Sequence, residues 1–355
     1  MGKNIVHVVG TGTIGEPLVG LLCDLKSELG VDEVSFSKKQ ALLGDRSKVA
    51  ALIRRGAKLT ADDENIEAFK KIDLEPTYML NEALEQASVV IDCTPVGNQN
   101  KSKYYEKHLE NTKGFIAQGS EFGFGKMYAR GINDEVLIPG KDRFVQVVSC
   151  NTHNLSVLIK TIGMNNGQDL KGLENAEFVC IRRSNDISQD KDFIPAHQVN
   201  RHKDGRFGTH HARDAFELFK TLNLDLNLFS SAIKTNTQYM HTVWFHLRLK
   251  DPITKDELMK RFRANDRVAI THKNSSNSVF SFGRDHGHYG RILNQTVIVE
   301  STLEVIGERD VYGWCFTPQD GNSLLSSISA TTFFLHPEDY EKRVQCLRPY
   351  FFQEV

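Results

Sequence analysis

Cysteine, histidine and glycine at particular spacings carry most of the chemistry open to this sequence. Cys150 stands in Phe144-Val-Gln-Val-Val-Ser149-Cys150-Asn151-Thr152, an apolar strand pattern running into a turn, and a helix pattern follows over 154–162. A thiol at a helix N-terminus meets unpaired N–H groups and the positive end of the helix dipole, so its pKa is expected to fall. A cysteine packed in a strand-to-helix turn is the bland alternative. A thiolate route needs an acid–base partner that titrates near neutral pH, and there are 13 histidines. His241 opens a segment in which it shares a face with Val243, Phe245, Leu247 and Leu249, so it points inward and is a candidate base. A satisfied core histidine fits the same pattern. His210 and His211 are paired before a helix pattern at 213–222, and Arg182-Arg183 close a strand pattern. Guanidinium groups grip phosphate bidentately, although solvated surface arginines are common. Asp285-His286-Gly287-His288 has the residue types of a metal site without further spaced ligands, so no metal is expected.

The second constellation is Gly10-Thr11-Gly12-Thr13-Ile14-Gly15, directly after the apolar run at 5–9 and opening an amphipathic stretch. Glycines let the backbone approach a pyrophosphate, and the N–H groups of the following helix bind its charge. In this strand–loop–helix context the pattern predicts a nicotinamide dinucleotide. The second strand ends in Ser37-Lys38-Lys39 with no carboxylate. A hydroxyl and two ammonium groups suit the 2′-phosphate of NADP better than the ribose diol of NAD, so NADP is favoured over NAD. A thiolate facing a nicotinamide suggests aldehyde oxidation through a thiohemiacetal and a thioester.

Elements must position these groups. Short apolar runs at 5–9, 34–37, 89–93, 114–117 and 143–148 alternate with helix patterns at 14–29, 46–55, 77–85 and 101–110. That alternation predicts an α/β fold whose first part is a Rossmann dinucleotide-binding domain with a parallel sheet. After residue 166 longer strand patterns dominate, at 177–182, 231–234, 241–250, 267–271, 296–300 and 311–316, with helices only at 213–222 and 254–264. This predicts an α+β catalytic domain with a mostly antiparallel sheet. The Asn-, Ser- and Gly-rich stretch 273–290 reads as a mobile loop. The expected division is 1–149 with 320–355 for the dinucleotide domain and 150–319 for the catalytic domain.

Composition sets the outer bounds. The 355 residues carry 44 Lys+Arg against 45 Asp+Glu and are 40% hydrophobic, enough for two domains with real cores. A net charge of −1 with both signs mixed argues against a nucleic-acid partner held by phosphate neutralisation. No apolar run is long enough to span a bilayer, and the opening residues lack a signal-peptide stretch, so no membrane is expected. The six cysteines contain no Cys-x-x-Cys pair, which disfavours zinc or dithiol chemistry.

Taken in order, Gly12-Thr13-Ile14-Gly15, Val90-Ile-Asp-Cys-Thr94-Pro95-x-Gly97, Gln118-Gly119, Val147-Val-Ser-Cys150-Asn-Thr152, Ile181-Arg-Arg183, His210-His211-Ala-x-Asp214 and Met240-His241 resemble the archaeal-type (type II) phosphorylating glyceraldehyde-3-phosphate dehydrogenases. The resemblance runs from about residue 4 to residue 335. It implies Cys150 as nucleophile and His241 as its base. Ser149, Asn151, His210 and His211 fall on substrate-contacting positions. Thr13, Ile14, Ser120, Arg183 and Gln319 fall on cofactor contacts, with Lys38 or Lys39 at the lysine associated with NADP. It further implies triose phosphate and inorganic phosphate as substrates, and a cytoplasmic homotetramer. The departures are Ser120 where a second glycine is usual, His153 for threonine, Pro318-Gln319-Asp320-Gly321 for His-Gln-Glu-Ser, Asn236-Thr-Gln-Tyr-Met-His241 for Thr-Thr-Leu-Met-His, and a poor match of 194–206 to the proline-rich stretch before the His-His pair. A semialdehyde dehydrogenase with the same cysteine chemistry, and a non-catalytic NADP-binding sensor, are the competing readings.

Overall fold

The computed structural model describes residues 2–187, 189, 193–318 and 320–355, and its chain forms two compact units. The first comprises Met1–Tyr128, Leu137–Val147 and Leu324–Arg348; the second comprises Ala129–Val136, Val148–Ser323 and Pro349–Val355.

In the first unit, eight strands form one sheet: β1 (Ile5–Val9), β2 (Glu33–Ser37), β3 (Lys58–Ala61), β4 (Tyr78–Met79), β5 (Val89–Asp92), β6 (Gly114–Gln118), β7 (Lys126–Tyr128) and β8 (Phe144–Val147). Their order is β4-β3-β2-β1-β5-β6-β8-β7, and every neighbouring pair is parallel. Strands covered on both faces carry apolar runs instead of alternation, which is why β1, β2 and β5 read as Val/Ile/Phe-rich stretches. Val6, Val8, Phe36, Val90 and Ile91 are accordingly fully buried. The C-terminal ends of β1, β2, β5 and β6 lead into Gly10, Lys38, Cys93 and Gly119, the edge at which such sheets bind ligands.

The second unit holds a mixed sheet. Its strands are β9 (Leu173–Arg182), β10 (Gln198–Val199), β11 (Leu228–Lys234), β12 (His241–Leu249), β13 (Val268–Thr271), β14 (Thr296–Val299), β15 (Glu304–Ile306) and β16 (Asp310–Thr317). The order is β10-β11-β9-β12-β16-β14-β13, with β15 on β16. Only β9·β11 and β13·β14 are parallel, so the sheet is mostly antiparallel, as the alternating patterns predicted. Strand β12 shows strict alternation, with His241, Val243, Phe245, Leu247 and Leu249 all buried on one face.

Two local readings need correction. The stretch 273–290, expected to be a mobile loop, contains the helix Ser276–His286. Its Ser, Asn and Gly content disguised a helical face on which Val279, Phe280 and Phe282 pack against a cluster including Met240, Ile292 and Val297. Burial outweighed weak propensity there. The helix expected over 77–85 begins at Leu80, after the two-residue β4 has taken Tyr78 and Met79 into the sheet.

The helix Gly321–Leu335 is rich in small hydroxyl residues. Ser326, Ser327, Ser329, Thr331 and Thr332 are all buried in it. Three of them donate to carbonyls one turn back: Ser329 to Leu325 O at 2.8 Å, Thr331 to Ser327 O at 2.7 Å and Thr332 to Ile328 O at 2.8 Å.

Candidate active site

In the first unit the glycine loop has the geometry a dinucleotide requires. Gly10 takes φ +88°, a left-handed conformation costly for any residue with a Cβ. A Cβ on Gly15 would lie 2.0 Å from the Gly10 carbonyl oxygen, so the third glycine permits the close turn into the helix Gly15–Asp24. A Cβ on Gly12 would meet nothing within 4 Å, which leaves open space at the loop's middle. The helix has Ile14 at its N-cap with no side-chain cap; the Glu16 N–H is already spent on the Gly12 carbonyl at 3.1 Å and Pro17 has no N–H, so an anion here would meet the loop backbone and the positive end of the helix dipole. The Thr11 hydroxyl is buried with no partner among the described residues. Thr13 and Ile14 are half-buried in this loop, and Ser120 is exposed just past β6. These features fit a pyrophosphate.

Beside the loop lies a cavity of about 750 Å³ lined by Gly10, Ser37, Lys38, Lys39, Thr94 and Asn100, among others. Lys38 is not a bare cation: its Nζ lies 2.5 Å from Asp45 Oδ2. Lys48 Nζ is 3.4 Å from the other Asp45 oxygen and 3.8 Å from Glu16 Oε2. The hydrogen bond from Lys38 holds the Asp45 carboxyl below its usual range. A carboxylate thus reaches the end of β2 from eight residues downstream, where the strand's own sequence offered none. Lys39 is exposed. Gln319 lies outside the described residues.

The thiol belongs to the second unit. The helix Cys150–Leu158 begins on Cys150, with Ser149 as N-cap accepting from the Thr152 N–H at 3.3 Å. Ser149 therefore spends its hydroxyl on the helix. Its carbonyl accepts from His153 Nδ1 at 3.0 Å, and burial lowers the His153 pKa to about 4. Asn151 is 2% exposed and its Oδ1 accepts from the Thr317 hydroxyl at 3.1 Å, while Asn154 donates to the same Thr317 oxygen at 2.7 Å. Thr317 is the cross-strand neighbour of His241, so one polar network ties the first turn of this helix to the start of β12. Asn322 donates to the Cys150 carbonyl at 3.0 Å, and its Oδ1 is buried without a partner among the described residues.

The expected fall in the Cys150 pKa does not occur. Burial pushes the thiol up to about 11; the Arg183 guanidinium pulls it down, and Asp320 and Asp186 push it further up. Desolvation of a thiolate outweighs the helix terminus here. Arg183 is 5% exposed, with Nη2 at 2.6 Å from Asp186 and 3.6 Å from Asp320. It stands beside Cys150 in the second unit, within the expected catalytic domain. Asp320 enters through a left-handed backbone at φ +55°, and only the departure at 318–321 hinted at it.

Around the arginines gather three imidazoles. The backbone N–H of Arg183 donates to His241 Nδ1 at 3.0 Å. Burial first, then the charges of Arg183 and Arg182, hold His241 well below its ordinary pKa. His210 and His211 open the helix His210–Lys220, earlier than expected, with ring centroids 3.9 Å apart. His211 is 3% exposed and neither ring nitrogen has a partner among the described residues; burial, then His210 and Arg182, keep it neutral. The second unit thus brings together Cys150, His241, His210 and His211 around Arg182 and Arg183. Among the described residues, no group of three or more His, Cys, Asp or Glu side chains has metal-holding geometry, and no helix is long and apolar enough to cross a membrane.

No family model matches the chain. Among curated proteins, it is 25% identical to the glyceraldehyde-3-phosphate dehydrogenase of Methanothermus fervidus over 348 residues, 94% of each chain. It is 25% identical to that of Pyrobaculum neutrophilum over 274 residues, 75% of this chain and 72% of that protein. Glyceraldehyde-3-phosphate dehydrogenase 2 of Methanosarcina barkeri is 27% identical over 297 residues, 81% of this chain and 80% of that protein. With a parallel dinucleotide-type sheet in one unit and a mixed sheet in the other, the chain is similar over most of its length to the archaeal-type glyceraldehyde-3-phosphate dehydrogenases.

Proposed function

We propose that the protein is a phosphorylating, NAD(P)-dependent oxidoreductase that converts D-glyceraldehyde 3-phosphate to 1,3-bisphosphoglycerate, reversibly, through a thioester on Cys150. The observation that carries this reading is the cluster in the second unit: a thiol on the first residue of a helix, two adjacent arginines and three neutral imidazoles. Cys150 is the nucleophile that bonds to the aldehyde carbon. Arg182, His210 and His211 supply the cationic and hydrogen-bonding surface for the substrate phosphates, an electrostatic task suited to preorganised donors. Gly10, Gly12, Thr13, Ile14 and Gly15 hold the dinucleotide's pyrophosphate, and Lys39 with Lys38 favours a 2′-phosphate. The bound oxidised nicotinamide supplies a hydride acceptor. Inorganic phosphate attacks the thioester carbon, and the Cys150 sulfur departs as the acyl phosphate forms. The glyceraldehyde-3-phosphate dehydrogenase names of the relatives support this substrate. By the same resemblance the protein works as a homotetramer in the cytoplasm.

The test is reduced-nicotinamide formation by the purified protein with glyceraldehyde 3-phosphate and NADP or NAD, with and without inorganic phosphate. Phosphate-dependent turnover lost in Cys150→Ser is expected. Turnover only with a carboxylate-bearing semialdehyde would replace the substrate. Tight NADPH binding with no turnover on any aldehyde would leave the protein a sensor.

A further inference from the structure

We propose that Asp45 sets the cofactor preference of this chain by pairing with Lys38, which withholds a cation from the adenosine ribose. NADP is then favoured over NAD only weakly, and loss of the Asp45 charge makes the site select NADP strongly. The proposal rests on the dinucleotide reading of the glycine loop and needs nothing from the aldehyde chemistry.

The sequence brings the two groups together by different routes. Lys38 follows Ser37, the last residue of β2, which is paired with Thr60 of β3. Asp45 closes the short turn Leu43–Asp45, immediately ahead of the helix Arg46–Arg54. An aspartate there commonly caps the helix. Here its side chain makes no cap hydrogen bond among the described residues, so the carboxylate is spent elsewhere. Its Oδ2 lies 2.5 Å from Lys38 Nζ and its Oδ1 lies 3.4 Å from Lys48 Nζ. Lys48 in turn donates to the Thr11 carbonyl of the glycine loop at 3.2 Å and stands 3.8 Å from Glu16 Oε2. A chain of alternating charge, Lys38–Asp45–Lys48–Glu16, thus runs from the end of β2 to the helix Gly15–Asp24. These side chains are between 17% and 32% exposed, so water and salt screen them less than an open surface pair.

Charge in the adjoining cavity is closely balanced. Among the described residues, the ammonium groups of Lys38, Lys39 and Lys103 line it together with the carboxylates of Asp62, Asp63 and Glu64. A 2′-phosphate brings about two negative charges and needs a cation not already neutralised. To take Lys38 it must displace the Asp45 carboxylate or sit beside it against like charge. The ribose diol of NAD is neutral and meets no such opposition. Lys39 is exposed, and solvent weakens what it adds. Asp45 is therefore a positioning residue: it acts on cofactor choice through the Lys38 ammonium.

The test measures Kd for NADPH and NADH by nucleotide fluorescence on the whole protein in one low-salt buffer. We expect Asp45→Asn, which keeps size and removes charge, to tighten NADPH about tenfold and to leave NADH within about twofold. Adding Lys38→Gln to Asp45→Asn should return the NADPH-to-NADH ratio to near the wild-type value, because the gain belongs to Lys38. Asp24→Asn removes the same formal charge from an ion pair with Arg55 and should move neither affinity. Equal tightening of both nucleotides by Asp45→Asn would make it a general electrostatic or structural group and overturn the proposal. An unmoved ratio, or a gain that survives the loss of Lys38, would overturn it as well. If the wild type binds neither nucleotide, the dinucleotide reading fails and the proposal falls with it. Binding without aldehyde turnover would sink the proposed reaction alone, since the ratio is read from binding.

Discussion

At Cys150 two opposed influences are visible on the same atom. The Arg183 guanidinium favours thiolate, and the carboxylates of Asp320 and Asp186 oppose it, on top of a larger burial effect. Asp320 is the informative one, because it lies in the segment 318–321, where this sequence departs from the pattern of the family it resembles. Replacing Asp320 with Asn removes one opposing charge and leaves Arg183 still paired to Asp186. We expect the iodoacetamide profile of Cys150 to move to lower pH, with alkylation at a fixed pH near 8 rising about threefold or more. An unmoved profile would mean Asp320 does not act on the sulfur. Some of this was readable from residue types: the thiol at a strand-to-helix junction, and the inward face of His241 from its period of two. The Arg183 contact was not, since it is made by a backbone N–H, about which the side-chain identity is silent. Nor was Asp320, whose carboxylate arrives from 170 residues downstream through a left-handed backbone.

At the scale of elements, the turn before the Cys150 helix and the turn after β1 each depend on one residue type. Ser149→Ala removes the N-cap that accepts from Thr152 and is expected to cost about 1 kcal/mol of stability in urea unfolding. Gly15→Ala should do more damage, because its Cβ would collide with the Gly10 carbonyl at 2.0 Å. We expect it to abolish NADPH binding in a fluorescence titration while circular dichroism stays near wild type; unchanged affinity would sink the assignment of this loop to pyrophosphate. Lys39→Ala should weaken NADPH more than NADH, since Lys38 already shares its charge with Asp45. Strands buried on both faces announced themselves as apolar runs, and β12 by strict alternation. Short edge pieces such as β4, with two residues, have too few positions to show any period. The helix Ser276–His286 was hidden by its loop-like composition and exists because Val279 and two phenylalanines find a core.

For the whole molecule, buried neutral histidines set the response to acid. Burial lowers His7 to about 3 and His153 to about 4, and His211 and His241 lie well below their ordinary value. In the unfolded chain each would titrate near 6.5. Between the folded and unfolded values the unfolded chain binds more protons, so stability is full above about pH 6.5 and falls as pH drops. Each histidine contributes a slope of up to about 1.4 kcal/mol per pH unit. Urea midpoints at pH 7.5 and pH 5 should therefore differ sharply, and His153→Gln should narrow the gap. Equal midpoints would contradict the buried, neutral state of these rings.

The helix Gly321–Leu335 has one more consequence. Because Ser329, Thr331 and Thr332 return their hydroxyl hydrogens to their own helix, they ask nothing of the surrounding protein beyond room. Mutational drift along this stretch is then sieved by volume and not by polarity. Alanine should pass at Ser329 for under about 1 kcal/mol, whereas leucine there should overpack and fail.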